Sequence, residues 1–144
     1  MLIALVILSS PWSVSGAPLT ILETAELDFG SVVDQNGTVT LGLADSITFD
    51  PFGIHVGSPV TTGHYLISGD PFSTLSLSIV GSTVAGLSIG TFMTSEGPPP
   101  LLNASLDING ELDLSLGANV SVNSAQVAPG ANQPLLFTIT VNYN

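Results

Sequence analysis

The sequence contains no lysine, no arginine and no cysteine, and each absence removes a class of chemistry. Without Lys or Arg, side-chain salt bridges have no permanent cationic partner. That loss is small, because an exposed pair contributes only about 0–1 kcal/mol. The phosphate-cradling pattern G-x-x-x-x-G-K-S/T is excluded outright. Nucleic acid and anionic membrane surfaces are not expected as partners, because their binding rests on basic side chains. Without Cys there are no disulfides, thiolate metal sites or cysteine nucleophiles. The compartment stays open on this count, since exported proteins need not carry disulfides. Aromatics are few, at 6%, and the charged residues, at 8%, are all acidic, giving a net charge of −11. Copies of the chain should repel one another over a Debye length of about 8–10 Å in ordinary buffers.

What is present suits one folded domain. A chain of 144 residues with 44% hydrophobic content is long enough for one sizeable core and too short for two ordinary ones. Its polar surface has to be built from Ser, Thr, Asn and Gly. Met1 to Leu8 (MLIALVIL) is an apolar run, followed by Pro11 and then Ser15-Gly16-Ala17. Small residues at the −3 and −1 positions fit cleavage after Ala17, as in a secretory signal peptide, although no basic segment precedes the run. The run falls short of the about 20 apolar residues of a transmembrane helix. A buried N-terminal strand is the alternative. The expected organisation is a signal peptide over residues 1–17 and one domain over 18–144. The mature chain would be exported to the periplasm, cell surface or medium, with all the negative charge and no transmembrane span.

From Pro18 onward, short alternating runs are cut by Gly, Pro, Asn and Asp, which predicts strands. They are Leu19–Phe29, Thr38–Leu43, Ser46–Phe49, His64–Ser68, Thr74–Val80, Val84–Phe92, Ala104–Ile108, Leu112–Leu116, Asn119–Asn123 and Leu135–Tyr143. No later window holds a helical period. Glu96–Pro100 (EGPPP) is a stiff break too short to separate domains. The expected fold is all-β: a single-domain, Ig-like antiparallel β-sandwich. In SLDINGELDLSL, a three-residue loop from Asn109 to Glu111 would pair Ile108 with Leu112, Leu106 with Leu114 and Ala104 with Leu116. All apolar positions would then share one face, with Asp107 opposite Asp113 outside.

Few residues offer chemistry. Gly86-Leu87-Ser88-Ile89-Gly90 matches G-x-S-x-G, but no helix follows it and both histidines precede the Ser, unlike a nucleophile elbow. A strand or bend is the expected reading. His55 and His64 lack the further ligands a metal site requires and read as isolated surface or loop residues. Asp107, Glu111 and Asp113 share one hairpin and are candidates for weak Ca²⁺ binding. They lack the D-x-D/N-x-D/N-G spacing of a dedicated calcium loop, and a solvated acidic face is the alternative. Acids on an open face give no cleft for glycoside chemistry. No catalytic residue and no cofactor is expected. The final strand is the most regular element: Phe137, Ile139, Val141 and Tyr143 fall on one face, alternating with Thr138, Thr140 and Asn142.

Several segments carry a family likeness in order and spacing. These are Leu27-Asp28-Phe29-Gly30, Asn36-Gly37-Thr38-Val39-Thr40, His64-Tyr65-Leu66-Ile67-Ser68-Gly69 with Pro71, Leu116-Gly117-Ala118-Asn119-Val120-Ser121-Val122, and Phe137 to Tyr143. Over roughly Leu19 to Asn144 the chain resembles the bacterial exported family called domain of unknown function 4402. The resemblance implies a secreted, Ig-like all-β domain and brings no catalytic residues. More remotely, the alternating final strand with penultimate Tyr143, and Gly130 ahead of it, resembles chaperone–usher pilin subunits. In those, an N-terminal extension completes a neighbour's sandwich. This chain departs from them, since Ala17 to Phe29 has room for one strand only.

The expected function is a non-catalytic structural or adhesive surface protein, a fimbrial-type subunit assembling by β-strand pairing. Pro18–Phe29 and Leu135–Tyr143 would be the assembly strands, with Phe137–Tyr143 closing its own domain as the plainer reading of the final strand. Its partners would be itself or related surface subunits, with a periplasmic chaperone. The alternative is a monomeric extracellular module binding carbohydrate or weak Ca²⁺.

Overall fold

The computed structural model describes the backbone of residues 3–8 and, in full, residues 16–57, 59–127 and 135–144. Residues 1–2 and 9–15 of the expected signal peptide, and Gly130, lie outside the described residues. The described chain is all-β. In order, the strands are β1 (Ile3–Leu8), β2 (Thr20–Ala25), β3 (Gly37–Leu41), β4 (Ile47–Phe49), β5 (Gly63–Ser68), β6 (Thr74–Gly81), β7 (Thr83–Val84), β8 (Leu87–Thr94), β9 (Leu101–Ser105), β10 (Glu111–Val122) and β11 (Leu136–Tyr143).

Alternation explains most of these elements. In β5, Gly63, Tyr65 and Ile67 are buried while His64, Leu66 and Ser68 are half-exposed. In β11, Phe137, Ile139 and Val141 are buried between half-exposed Thr and Asn. Strands of this kind become stable when one face meets another apolar layer, and here two sheets meet. The smaller runs β1-β11-β6-β9, and the larger runs β2-β5-β10-β3-β4, with β8 on β10 and β7 on β8. All pairings between named strands are antiparallel except β1 with β11. The fold is a single-domain antiparallel β-sandwich, as the sequence predicts.

The two sheets share one core. Leu75 and Leu77 of β6, Ala104 of β9 and the inward residues of β11 come from the smaller sheet. Val39, Leu41, Tyr65, Ile67, Leu114, Leu116 and Val120 come from the larger. The layers interlock through rings. Phe137 meets Tyr65 edge-on, with centroids 6.3 Å apart and planes at 86°. Phe92 lies against Phe137 at 5.5 Å. The buried Tyr65 hydroxyl is satisfied by donating to Glu23 Oε1 at 3.0 Å. Burial, then the Glu23 carboxylate, pushes its phenol well above the ordinary range.

Several boundaries differ from the predicted ones. Val84–Phe92 is split by a turn into β7 and β8, and Leu112–Leu116 joins Asn119–Asn123 in the continuous β10, with a register shift between Gly117 and Asn119. The larger correction concerns the predicted hairpin. Ala104 pairs with Leu75 of β6, whereas Leu114 pairs with Tyr65 and Leu116 with Gly63 of β5. The segment around Asn109 is therefore a corner between sheets and not a hairpin within one. Ala104, Leu106, Leu112, Leu114 and Leu116 do face the core together, but from opposite sides, while Ile108 is exposed. Alternation identifies the buried face and not the sheet that owns it. Asp107 accordingly does not face Asp113, whose register partner is Leu66.

Phe137 packs against two rings of the opposite layer, so Phe137→Ala should cost about 3–5 kcal/mol in chemical denaturation. Val80→Ala, on the exposed face of neighbouring β6, should stay within about 0.5 kcal/mol. Equal losses would contradict this assignment of faces.

Candidate functional site

The acidic corner is a turn-building device. Asp107 Oδ1 accepts the backbone N–H groups of Asn109 and Glu111, each at 2.8 Å, and Oδ2 accepts the Asn109 side-chain amide at 3.3 Å. The Glu111 amide is the main cause that holds the Asp107 carboxyl below the usual carboxylate range. Glu111 opens β10 opposite Ser68, and Asp113 stands opposite Leu66, both exposed. Asp50 builds a second such turn, accepting from the backbone N–H groups of Ile54 and His55 at 2.9 Å each. The His55 amide leads in lowering its carboxyl.

The two histidines sit in different surroundings, His55 beside the Asp50 turn and His64 in β5. His64 is half-buried within β5, with Nδ1 3.2 Å from Ser115 Oγ, which corrects the reading of a surface or loop residue. His55 bridges to Val32 by backbone pairing, and its Nε2 is buried without a hydrogen-bond partner. Among the described residues, no three His, Asp or Glu side chains gather where they would hold a metal ion. Ser88 of the G-x-S-x-G pattern lies in β8 opposite Thr83 and Ser121. Gly86 forms the β7–β8 turn with φ of 80°.

The final strand gathers more. Phe137, Ile139 and Val141 are 2%, 0% and 1% exposed. Ser82 Oγ donates to Leu136 O at 2.6 Å and accepts from Leu136 N at 3.1 Å, fixing the strand's start. Beyond its end, Asn144 N donates to Thr74 O at 3.1 Å. The fourth expected anchor, Tyr143, is half-buried and acts through its polar tip. Its hydroxyl accepts the Asp70 N–H at 2.8 Å and donates to Ala17 O at 2.7 Å, while Ala17 N donates to Asp70 Oδ1 at 2.7 Å. Gly69 admits this hydroxyl because it carries no Cβ, which would collide with it. The end of β11, the loop after β5 and the entry to β2 are thereby tied together. Sequence reasoning missed this clamp: its members are separated by 73 and 126 positions, and only the penultimate Tyr hinted at it.

The edge of β11 is equally specific. One side pairs with β6 from Phe137↔Gly81 to Tyr143↔Leu75. The other side pairs in parallel with β1, from Ile3↔Leu136 to Leu8↔Val141. β1 is the end strand of that sheet. It is built from the apolar run for which the sequence offers two readings, a removed leader or an N-terminal strand.

Over residues 19–143 the chain matches the family model described as a domain of unknown function, DUF4402. The chain belongs to this family. No curated protein and no solved structure is similar enough to add a relative. The DUF4402 stretch takes in β2 to β11 and leaves β1 outside it. No described helix is long and apolar enough to cross a membrane.

The lowered Asp107 and Asp50 carboxyls give a pH prediction. Each lies below its ordinary value of 3.8 in the folded chain, so its contribution is present above that value and lost as pH falls through the lowered one. Asp107→Ala and Asp50→Ala should each lower Tm at pH 7, and the gap to the parent should close in strong acid. Melting curves from pH 7 to pH 2 check this; a gap that stays constant would refute it.

Proposed function

We propose that this DUF4402 protein is an exported, non-catalytic structural or adhesive surface component, a fimbrial-type subunit that assembles by β-strand pairing. The observation that carries the reading is the position of β11. It is internal to its sheet only by virtue of β1, which comes from the run with signal-peptide character and lies outside the family stretch. Removal of that run leaves β11 with a row of unpaired N–H and C=O groups along an edge, the arrangement that accepts a further strand. The strand that fits is a segment of another copy, of a related surface subunit, or of a periplasmic chaperone. Phe137, Ile139 and Val141 already anchor β11 in its own core. Together they contribute about 4.5–9 kcal/mol before entropy costs, comparable with a whole domain's stability of about 5–15 kcal/mol. The strand thus closes its own sandwich while presenting its other side.

Size exclusion and negative-stain microscopy of the exported protein test this. With a charge of −11 per chain, association should strengthen as salt screens repulsion, giving oligomers or filaments at high salt. Monomer at every salt concentration would defeat the assembly reading. Deleting Leu135–Asn144 should abolish folding or export, and a soluble truncation with an unchanged Tm would count against the closing role.

A second reading has its own support. Phe72 and Ile108 are each 71% exposed at one end of the sandwich, where Phe72 N donates to Asp107 O at 3.2 Å. Exposed apolar side chains at one end, in loops that also carry acidic residues, suit a monomeric module that binds carbohydrate or weak Ca²⁺. A rise in Tm with millimolar Ca²⁺, or with a panel of oligosaccharides, would favour it, and no rise would dispose of it.

A further inference from the structure

We propose that the leader is removed between Gly16 and Ala17, and that the new Ala17 α-ammonium is held by the Asp70 carboxylate. This rests on the reading of the N-terminal run as a removed export signal. It moves the cut one residue from the position that the small-residue pattern suggests, and it gives a chain without Lys or Arg its one standing cation.

The geometry selects the residue. Gly16, Ala17 and Pro18 are all exposed, so a protease has access to both bonds. The bond after Ala17 leads into proline, a tertiary amide with no N–H whose ring also restricts the residue before it. The bond before Ala17 is an ordinary secondary amide. Ala17 is moreover gripped at both main-chain polar atoms, its nitrogen by Asp70 Oδ1 and its oxygen by the Tyr143 hydroxyl, each at 2.7 Å. A cut after Ala17 would discard that residue and leave the Asp70 carboxylate and the Tyr143 O–H without these partners. A cut before it keeps both contacts. Gly16 lies so close to Asp70 that a Cβ would strike the carboxylate, so the small residue before the cut also suits the fold.

The step is a hydrolysis by a leader-removing endopeptidase. Water adds its hydroxyl to the Gly16 carbonyl carbon, the C–N bond breaks, and the Gly16 carboxyl ionises. The Ala17 nitrogen takes up protons to become an ammonium. The existing N–H···carboxylate hydrogen bond then becomes charge-assisted, which shortens and strengthens such contacts.

The exported product of the full-length chain tests the proposal by intact mass and N-terminal sequencing. The expected sequence begins Ala17-Pro18-Leu19. An exported product beginning at Pro18 or elsewhere overturns this inference alone. A chain kept uncut from Met1 overturns the leader reading with it. The ion pair has a separate signature. In a chain of charge −11, neutralising an acid ordinarily relieves repulsion, so Asp113→Asn should leave Tm unchanged or raise it. Asp70→Asn in the exported protein should instead lower Tm by about 2–4 °C, and molar salt should shrink that loss. An Asp70→Asn protein that melts like Asp113→Asn would overturn the pairing.

Discussion

Burial of one apolar layer between two sheets is the interaction on which the rest depends. With no disulfide, no metal cluster among the described residues and no basic side chain for salt bridges, little else is available to hold strands from distant parts of the chain. Phe137 sits at the join, with Tyr65 of the opposite sheet edge-on to it and Phe92 beside it. β11 reaches this position late in the sequence, yet it is the strand that draws β6 and, through Tyr143, the loop after β5 into place. Packing of this density leaves small tolerance for shape change, so the closing strand and the core stand or fall together.

The acidic residues turn a deficit into a structural resource. Where a protein with lysines would pair its carboxylates with side chains, this one points them at its own backbone. Asp28 accepts from Gly30 N, Asp45 from Thr62 N, Asp50 from Ile54 and His55, Asp70 from Ala17, and Asp107 from Asn109 and Glu111. Loops lack a regular ladder to satisfy their N–H groups, and a carboxylate is a strong acceptor for them. The charge that discourages self-association is thus the same charge that shapes the turns.

Much of this was legible in the sequence, and the limits have physical causes. The alternation of Leu75 and Leu77, of Leu112, Leu114 and Leu116, and of Phe137, Ile139 and Val141 names the buried residues, because side-chain direction along a strand has a strict period of two. The partner of Leu114 was not legible, since both sheets turn the same kind of face to a common core. Reading Asn109 to Glu111 as the loop of a hairpin failed for this reason. The G-x-S-x-G stretch falls in a turn and a strand, as its small residues suggest, whereas the turn-building role of Asp107 left no mark that the sequence reading caught. The clamp of Asp70, Tyr143 and Ala17 joins three remote segments by polar contacts that leave no periodic trace. His64 opens the predicted strand His64–Ser68 yet reads in sequence as an isolated surface or loop residue, because a single His carries no signature of its half-buried place against Ser115.

The sheet margins show a further consequence. Natural sheets commonly blunt their outer strands with lysine, which is absent from this chain. β4 is only three residues long, and β2 carries Glu23 among its exposed residues; shortness and acidity are what these margins have. Beyond these local devices their guard is collective, resting on the electrostatic field of the whole molecule. Such a guard is set by the acidity and salinity of the surroundings. The molecule's reluctance to stick is then a property of the medium around it as much as of its own surface.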